Sequence, residues 1–404
     1  MKGIQPLFDS LNYMLSNDYE YAHNLIYPAD FSAGRSFLLA YKGSEATFNS
    51  YRRELEKLLL WCWHVRQISI LQLTRLDIEQ YLEFCRAPFD SWIGIKNVAK
   101  FKSQANTRIA NPQWRPFVAS LAKTERAMGS QPNFKQYVIS DSAMKELLAV
   151  LSTFYNFLIQ ENLIGYNPIS QLRQKNRYIK KTQTTSIVRR LSELQWSYVI
   201  ESAQELAAKD KAHERTLFIM TCLYAMYLRI SELVASARWT PKMRDFYQDS
   251  DGNWWFVTIG KGNKQRQISV SDAMLKALER YRASMGLTSL PTINDVMPLI
   301  AKHKGRGPIV STRQIRSIVQ HCFDCAVAKM VTQGLSDEAN SLKAATVHWL
   351  RHTGISDDIK NRPKEHVRDD AGHSSSAITD KYIDIELRAR HASAKTKKID
   401  PLDS

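Results

Sequence analysis

A chain of 404 residues, 44% apolar and 24% charged, has the composition of a globular protein with room for two domains. It shows no run near the eighteen or so apolar residues of a membrane span and no basic-then-apolar leader in residues 1–13. Its five cysteines lack the spacing of a disulfide framework, which fits a reducing cytoplasm. The formal charge of +16 attracts polyanions, nucleic acid before an acidic membrane, since no long basic amphipathic helix with an aromatic face is visible.

In chain order, helical periodicity begins at Ala46, with Phe48, Tyr51, Leu55, Leu58, Leu59, Trp61 and Cys62 at three- and four-residue steps. A second helix is expected over 76–83, with Asp77 near its start. Residues 87–140 are interrupted by Pro88, Pro112, Pro116 and Pro132, and give no clear element. A helix over 144–161 carries the stripe Leu147, Leu148, Leu151, Phe154, Tyr155 and Leu158, and Tyr166-Asn167-Pro168 closes it.

Residues 173–190 hold seven basic residues and no acid. They read as a solvated hinge or as a strap on DNA phosphates, with Arg173, Lys175, Arg177, Lys180 and Lys181 as the contacts. Ser192 and Gln195 make a capping box that opens the next helix. Further helices are expected at 192–209, 213–228, 272–285, 312–332 and 340–352, and strands at 254–259 and 265–270. Gly260 to Lys264 supplies the positive φ values that a tight hairpin needs. The fold class is mainly α with a small β-sheet, a helical domain followed by a mixed α+β domain.

Arg229 is a lone cation in an apolar stretch. It either snorkels or pairs with Glu232 three residues on, or its guanidinium fork faces a phosphate while Glu232 orients it. Lys261, between two glycines, sits in an exposed turn or at a tip able to approach DNA closely; Lys264 and Arg266 are expected to bind the DNA backbone. His348 and Arg351 share one helix face, with His352 beside them. His373 and Tyr382 follow, although Tyr382 with Ile378 and Ile383 also has core spacing. Cys322 and Cys325 are expected in core packing, with no metal site.

These residues occur in an order that resembles the tyrosine recombinases, the phage-integrase and Xer-like family. The match runs through Leu-Arg-Ile-Ser-Glu-Leu at Arg229, Gly-Lys-Gly-Asn-Lys-Gln-Arg at Lys261, His-Trp-Leu-Arg-His-Thr at His348 and Arg351, Gly-His-Ser-Ser at His373, and Thr-Asp-Lys-Tyr at Tyr382. The resemblance covers about 192–385. It implies a core-binding domain and a catalytic domain forming a C-clamp around DNA. The domains are then 1–40 as an N-terminal extension, 41–171 as the helical core-binding (SAM-like) domain with a long insertion near 87–140, 172–190 as the basic linker, and 191–404 as the catalytic domain. Residues 1–40 have little family character and read as an arm-binding element, a protein-interaction extension or a helical cap. Ala371 stands where the family usually has a larger apolar residue.

The resemblance further implies that Tyr382 attacks a phosphate of duplex DNA to give a 3′-phosphotyrosyl link. Arg229 and Arg351 would clamp the non-bridging oxygens, Lys261 would act as general acid, His348 would transfer a proton, and His373 would donate to a phosphate oxygen. No cofactor or metal is implied. The implied partners are double-stranded DNA, three further copies in a homotetramer on synapsed sites, and accessory DNA-bending or directionality factors, with no membrane. The implied setting is the bacterial cytoplasm and nucleoid, as part of a mobile element. The alternatives are a non-catalytic DNA-binding regulator of the same fold and a type IB topoisomerase-like activity.

Overall fold

The computed structural model describes residues 4–15, 25–104, 107–127, 129–172, 189–303, 307–373 and 394–395. The chain divides into two compact units, Met1–Thr184 and Thr185–Ser404.

The first unit is built from α1 (Leu11–Leu15), α2 (Pro28–Ala40), α3 (Glu45–Trp61), α4 (Arg75–Arg86), β1 (Ile93–Gly94), β2 (Phe101–Gln104), β3 (Thr107–Ala110), β4 (Phe117–Val118), α5 (Lys123–Ala127) and α6 (Asp141–Gln160). The starts are locally encoded. Pro28 opens α2, where its missing N–H is no loss, and Ser44 and Ser140 cap α3 and α6. Thr74 and Asp77 form a reciprocal capping box on α4.

One apolar core joins α1, α2, α3, α4 and α6, and it includes Leu7, Phe8, Met14, Phe31 and Phe37 with Leu55, Leu59, Leu151 and Phe154. The boundary expected at residue 40 therefore marks no break in packing. Glu56 on α3 accepts from the backbone N–H groups of Leu7 (2.5 Å) and Phe8 (3.1 Å), fastening the leading segment to that core. The stretch 87–140 is likewise tied in: Trp92, Trp114 and Phe117 are buried there. Its strands form a parallel pair β1–β4 and an antiparallel ribbon β2–β3.

The second unit holds α7 (Glu193–Lys209), α8 (Glu214–Ala225), β5 (Phe246–Gln248), β6 (Trp254–Ile259), β7 (Gln265–Ser269), α9 (Asp272–Ser284), α10 (Thr312–Thr332), α11 (Ser336–Lys343), α12 (Val347–Asp358) and α13 (Lys364–Ala371). The sheet is antiparallel in the order β5-β6-β7, one strand more than expected. Its core gathers Val199, Phe218, Ile219, Phe256, Ile268, Val319, Phe323 and Leu350.

Two expected helices change. The one over 340–352 is split, because Thr346 is extended (φ −123°, ψ 166°) and starts α12 afresh. Its periodicity looked continuous because Leu342, Ala345 and Leu350 all face one core. The other, over 213–228, stops at Ala225, since Tyr227 takes a left-handed φ of 50°. Arg229 is thus extended, ahead of a short 3₁₀ turn. Cys322 is buried with its thiol toward the Val199 carbonyl, and the described residues hold no cluster able to bind a metal. None of the described helices is long and apolar enough to cross a membrane.

Candidate active site

The site forms where the turn after α8, the β6–β7 hairpin, α12 and the end of α13 meet. Glu232 lies at its base, almost wholly buried, and receives two guanidinium groups. Arg266 donates to it from both terminal nitrogens (2.7 and 2.8 Å), and Arg229 donates from Nη1 (3.0 Å) and from its backbone N–H (2.8 Å). Burial works against the Glu232 charge, yet the Arg266 and Arg229 contacts outweigh it and hold the carboxyl below its usual range. Gly260 leaves room for this convergence. A Cβ there would stand 3.1 Å from Arg266 Nη1 and from Glu232 Oε1.

The two arginines expected to face a phosphate converge on the end of α13. Arg351, fully buried on α12, donates from Nη1 to the Tyr227 carbonyl and from Nη2 to the Ala371 carbonyl (2.6 Å). Arg229 Nη2 donates to the next carbonyl, that of Gly372 (3.3 Å). Gly372 is left-handed, and its backbone passes so near Arg266 that a Cβ would lie 2.8 Å from Arg266 Cδ. Ala371 is fully buried against Tyr227, Ile355 and Val367, so a small residue suits its place.

Three histidines complete the cluster, and all are pushed toward the neutral form. Burial and then the charges of Arg351, Arg229 and Arg266 push His373 down to about 4. His352 falls to about 4 through burial, His348 and Arg351, and His348 is lowered by burial, Arg351, Arg229 and Arg189. His348 and His352 pack edge to face with ring centres 4.4 Å apart. Arg351 Nη2 lies 3.3 Å from His373 Nε2. A guanidinium only donates, so Nε2 accepts and the neutral ring carries its proton on Nδ1.

Behind this layer a second network fixes α13. Asp370 accepts from Ser269 Oγ (2.6 Å), Ser269 N (3.1 Å) and Arg362 Nη2 (2.6 Å), while its carbonyl takes Arg266 Nε (3.0 Å). Arg362 also reaches the Tyr227 hydroxyl and Asp358. On the other side, Gly354 lets α12 touch α8: a Cβ there would fall 2.0 Å from the Tyr224 carbonyl oxygen.

The sequence-expected residues Arg229, Glu232, His348, Arg351, His352 and His373 thus come together. Arg266 does too, but not as a DNA-backbone contact: its guanidinium is turned inward and is nearly buried on Glu232 and Asp370. Lys264 is exposed beside the hairpin tip, where Gly262 and Asn263 have φ of 76° and 60°. The Lys261 side chain, Tyr382 and the linker residues Arg173, Lys175, Arg177, Lys180 and Lys181 lie outside the described residues. Asp370, Arg362, Gly260 and Gly354 were not anticipated. Of these, Asp370 lies next to the Ala-Gly-His string and Gly260 in the expected hairpin turn, whereas Arg362 and Gly354 carried no signal in the sequence.

In a mainly helical unit with a small antiparallel sheet, the partly exposed Arg229 and the buried Arg351 thus lie beside three histidines. The chain is similar in fold to the solved XerH site-specific recombinase bound to a palindromic difH substrate (TM-score 0.56, 15% identity, covering 98% of each chain). A lambda integrase dimer bound to a core site is also similar (TM-score 0.50, 14% identity, covering 92% of this chain and 79% of that one). Residues 189–388 match the phage integrase family. The chain is 26% identical over 249 residues to the tyrosine recombinase XerC of Bacillus subtilis, covering 61% of this chain and 71% of that protein. It is 24% identical over 314 residues to the XerD of Oceanobacillus iheyensis, covering 76% and 93%. The chain belongs to the tyrosine recombinase family, and its enzyme class is that of the site-specific recombinases.

Proposed function

We propose that this chain cleaves and rejoins duplex DNA at specific sites through a 3′-phosphotyrosyl intermediate, in the service of a mobile element. The observation that carries the reading is the convergence of Arg229 and Arg351 on the successive carbonyls of Gly372 and Ala371, beside His373. A scissile phosphate that takes the place of those two carbonyls would meet two guanidinium groups and the Nδ1–H of His373, donors able to stabilise the charge that grows in the transition state.

The Tyr382 oxygen attacks phosphorus as its proton passes to neutral His348. The bond from phosphorus to the 5′-oxygen breaks, and Lys261 supplies the proton for the departing hydroxyl. The phosphotyrosyl bond conserves the energy of the broken phosphodiester, so rejoining is the reverse step with another 5′-hydroxyl. The functional unit is four copies on two duplexes in the bacterial cytoplasm and nucleoid, aided by DNA-bending or directionality factors. The residues 173–181 strap the DNA backbone.

A nicked duplex carrying the attachment site tests this reading. The wild-type chain is expected to leave a covalent protein–DNA band that survives denaturant, and Tyr382→Phe to leave none. An adduct formed by Tyr382→Phe removes the nucleophile assignment. Lys261→Ala is expected to cleave slowly and to recover on a 5′-bridging phosphorothiolate, whose leaving group needs no proton; failure to recover removes Lys261 from the acid role.

A further inference from the structure

Between Asp90 and Glu125 the first unit carries no acidic residue but six cations, Lys96, Lys100, Lys102, Arg108, Arg115 and Lys123. In the middle of this stretch stands the β2–β3 ribbon. Isolated two-stranded hairpins are marginal in water, so what holds this one is informative.

Its pairing sets Phe101 opposite Ala110, Lys102 opposite Ile109, Ser103 opposite Arg108 and Gln104 opposite Thr107. Side chains alternate along a strand, and directly paired residues share a face. One face therefore holds Phe101, Ser103, Arg108 and Ala110, and the other holds Lys102, Gln104, Thr107 and Ile109.

The first face is fastened to the protein. Phe101 is buried, and Arg108 donates to both oxygens of Asp9 (2.8 and 2.9 Å) and to Ser103 Oγ (3.1 Å), with its guanidinium 4.5 Å from the Tyr13 ring centre. At the root, Lys100 is paired with buried Glu56 and lies over Trp114, and buried Asn111 closes the ribbon through the carbonyls of Ala99 and Lys100. The second face is exposed at all four positions, Ile109 at 40%. Among the described residues no partner accepts from Lys102 Nζ or bonds the Gln104 amide. A rigidly rooted ribbon thus turns a Lys, a Gln, a Thr and an Ile outward, in a stretch whose charge is wholly positive.

We propose that this outward face of the β2–β3 ribbon enters the major groove of duplex DNA and reads base edges, setting part of the site preference of the protein. A two-stranded ribbon fits a major groove about 12 Å wide, and these side chains match what that groove displays. Lys102 donates to guanine O6 and N7, Gln104 bonds adenine N6 and N7, and Thr107 and Ile109 meet thymine methyl groups. The inference rests on the DNA-acting function proposed above.

Selection from a pool of randomised duplexes by the full chain tests it. The wild type is expected to enrich a motif. The variant carrying Lys102→Ala, Gln104→Ala, Thr107→Ala and Ile109→Ala is expected to lose preference at one contiguous block of that motif, with the remainder and the thermal melt unchanged. Gln104→Ala alone is expected to relax one base pair about tenfold. An unaltered motif overturns the proposal, and so does weakening that is uniform across sequences, which is the mark of phosphate contact only. An unaltered motif combined with lost binding to anionic phospholipid vesicles assigns the face to a membrane instead. If the wild type enriches nothing, the DNA-acting reading itself fails, and this inference with it.

Discussion

Each unit buries more than one carboxylate, and Asp30 in the first and Glu232 in the second are used differently. In the first, Asp30 is fully buried and accepts from Trp63 Nε1 (2.9 Å), Ser69 Oγ (2.5 Å) and Ile70 N (3.0 Å). All three donors are neutral, and the circuit closes on the protein: it ties the turn after α3 to α2. In the second, Glu232 receives two cations, and one of them, Arg229, keeps its side chain partly exposed at 28%. That circuit continues through Gly372 to the end of α13. Burial is common to both acids; the difference is that one circuit ends on the protein and the other reaches a partly exposed cation.

The sharpest way to break the comparison is to separate the layers that carry the second circuit. Gly354→Ala puts a methyl where the Tyr224 carbonyl oxygen already stands, 2.0 Å away, so α12 and α8 must part. The backbone has no rotamer to yield, and a loss of about 3 kcal/mol or more in the second unit is expected. Thermal unfolding should show that unit melting earlier while the first keeps its transition. A wild-type melt would mean that the close approach is not needed to seat Arg351.

Next come the two acids themselves, each changed to its isosteric amide. Glu232→Gln leaves two guanidinium groups on a neutral oxygen and an amide that donates toward them. A loss of about 2–3 kcal/mol is expected, with cleavage of a nicked duplex slowed at least roughly tenfold as Arg229 loses its brace. Asp30→Asn removes an acceptor among neutral donors and should cost about 1–2 kcal/mol, with cleavage at saturating DNA unchanged. Equal slowing by both variants would erase the distinction drawn here.

Much of this was legible in the sequence, for physical reasons that can be named. Capping pairs such as Ser192 with Gln195, and apolar stripes such as Leu147 to Leu158, are local signals, and they located α7 and α6. The Arg and His residues of the site stood out because each interrupts an apolar or turn context. Arg266 was misassigned because a basic residue near a hairpin tip looks the same whether it faces solvent or a buried acid; the deciding partner, Glu232, is 34 positions away. Gly354 was invisible for a related reason. A glycine inside a helix reads as a weakness until the neighbouring helix is known. The 87–140 stretch hid its ribbon because two four-residue strands are too short for alternation to register, and Asp9, which steadies them, lies far upstream.

The smallest expected effect concerns acid. His352 and His373 are held at about 4, below the ordinary histidine value, so the folded chain resists a proton that the unfolded chain accepts. Their contribution to stability is complete above about pH 6.5 and is lost as the pH falls toward about 4. Glu232, also lowered, adds the same sign but only within and below the carboxylate range, so the interval from about pH 6.5 to 5 isolates the histidines. His64 in the first unit is lowered by burial as well, so the slope of the whole chain does not separate the units. Substitution does. After allowance for solvent screening, the second unit should lose on the order of 1 kcal/mol between about pH 7 and pH 5. His373→Gln, which has no proton to resist, should remove about half of that loss and leave the share of His352, whereas His64→Gln should leave the second transition as it was. An equal slope in His373→Gln and wild type would mean that burial and the cations around His373 do not hold it neutral, and with that the neutral Nδ1–H donor assigned to the phosphate would go.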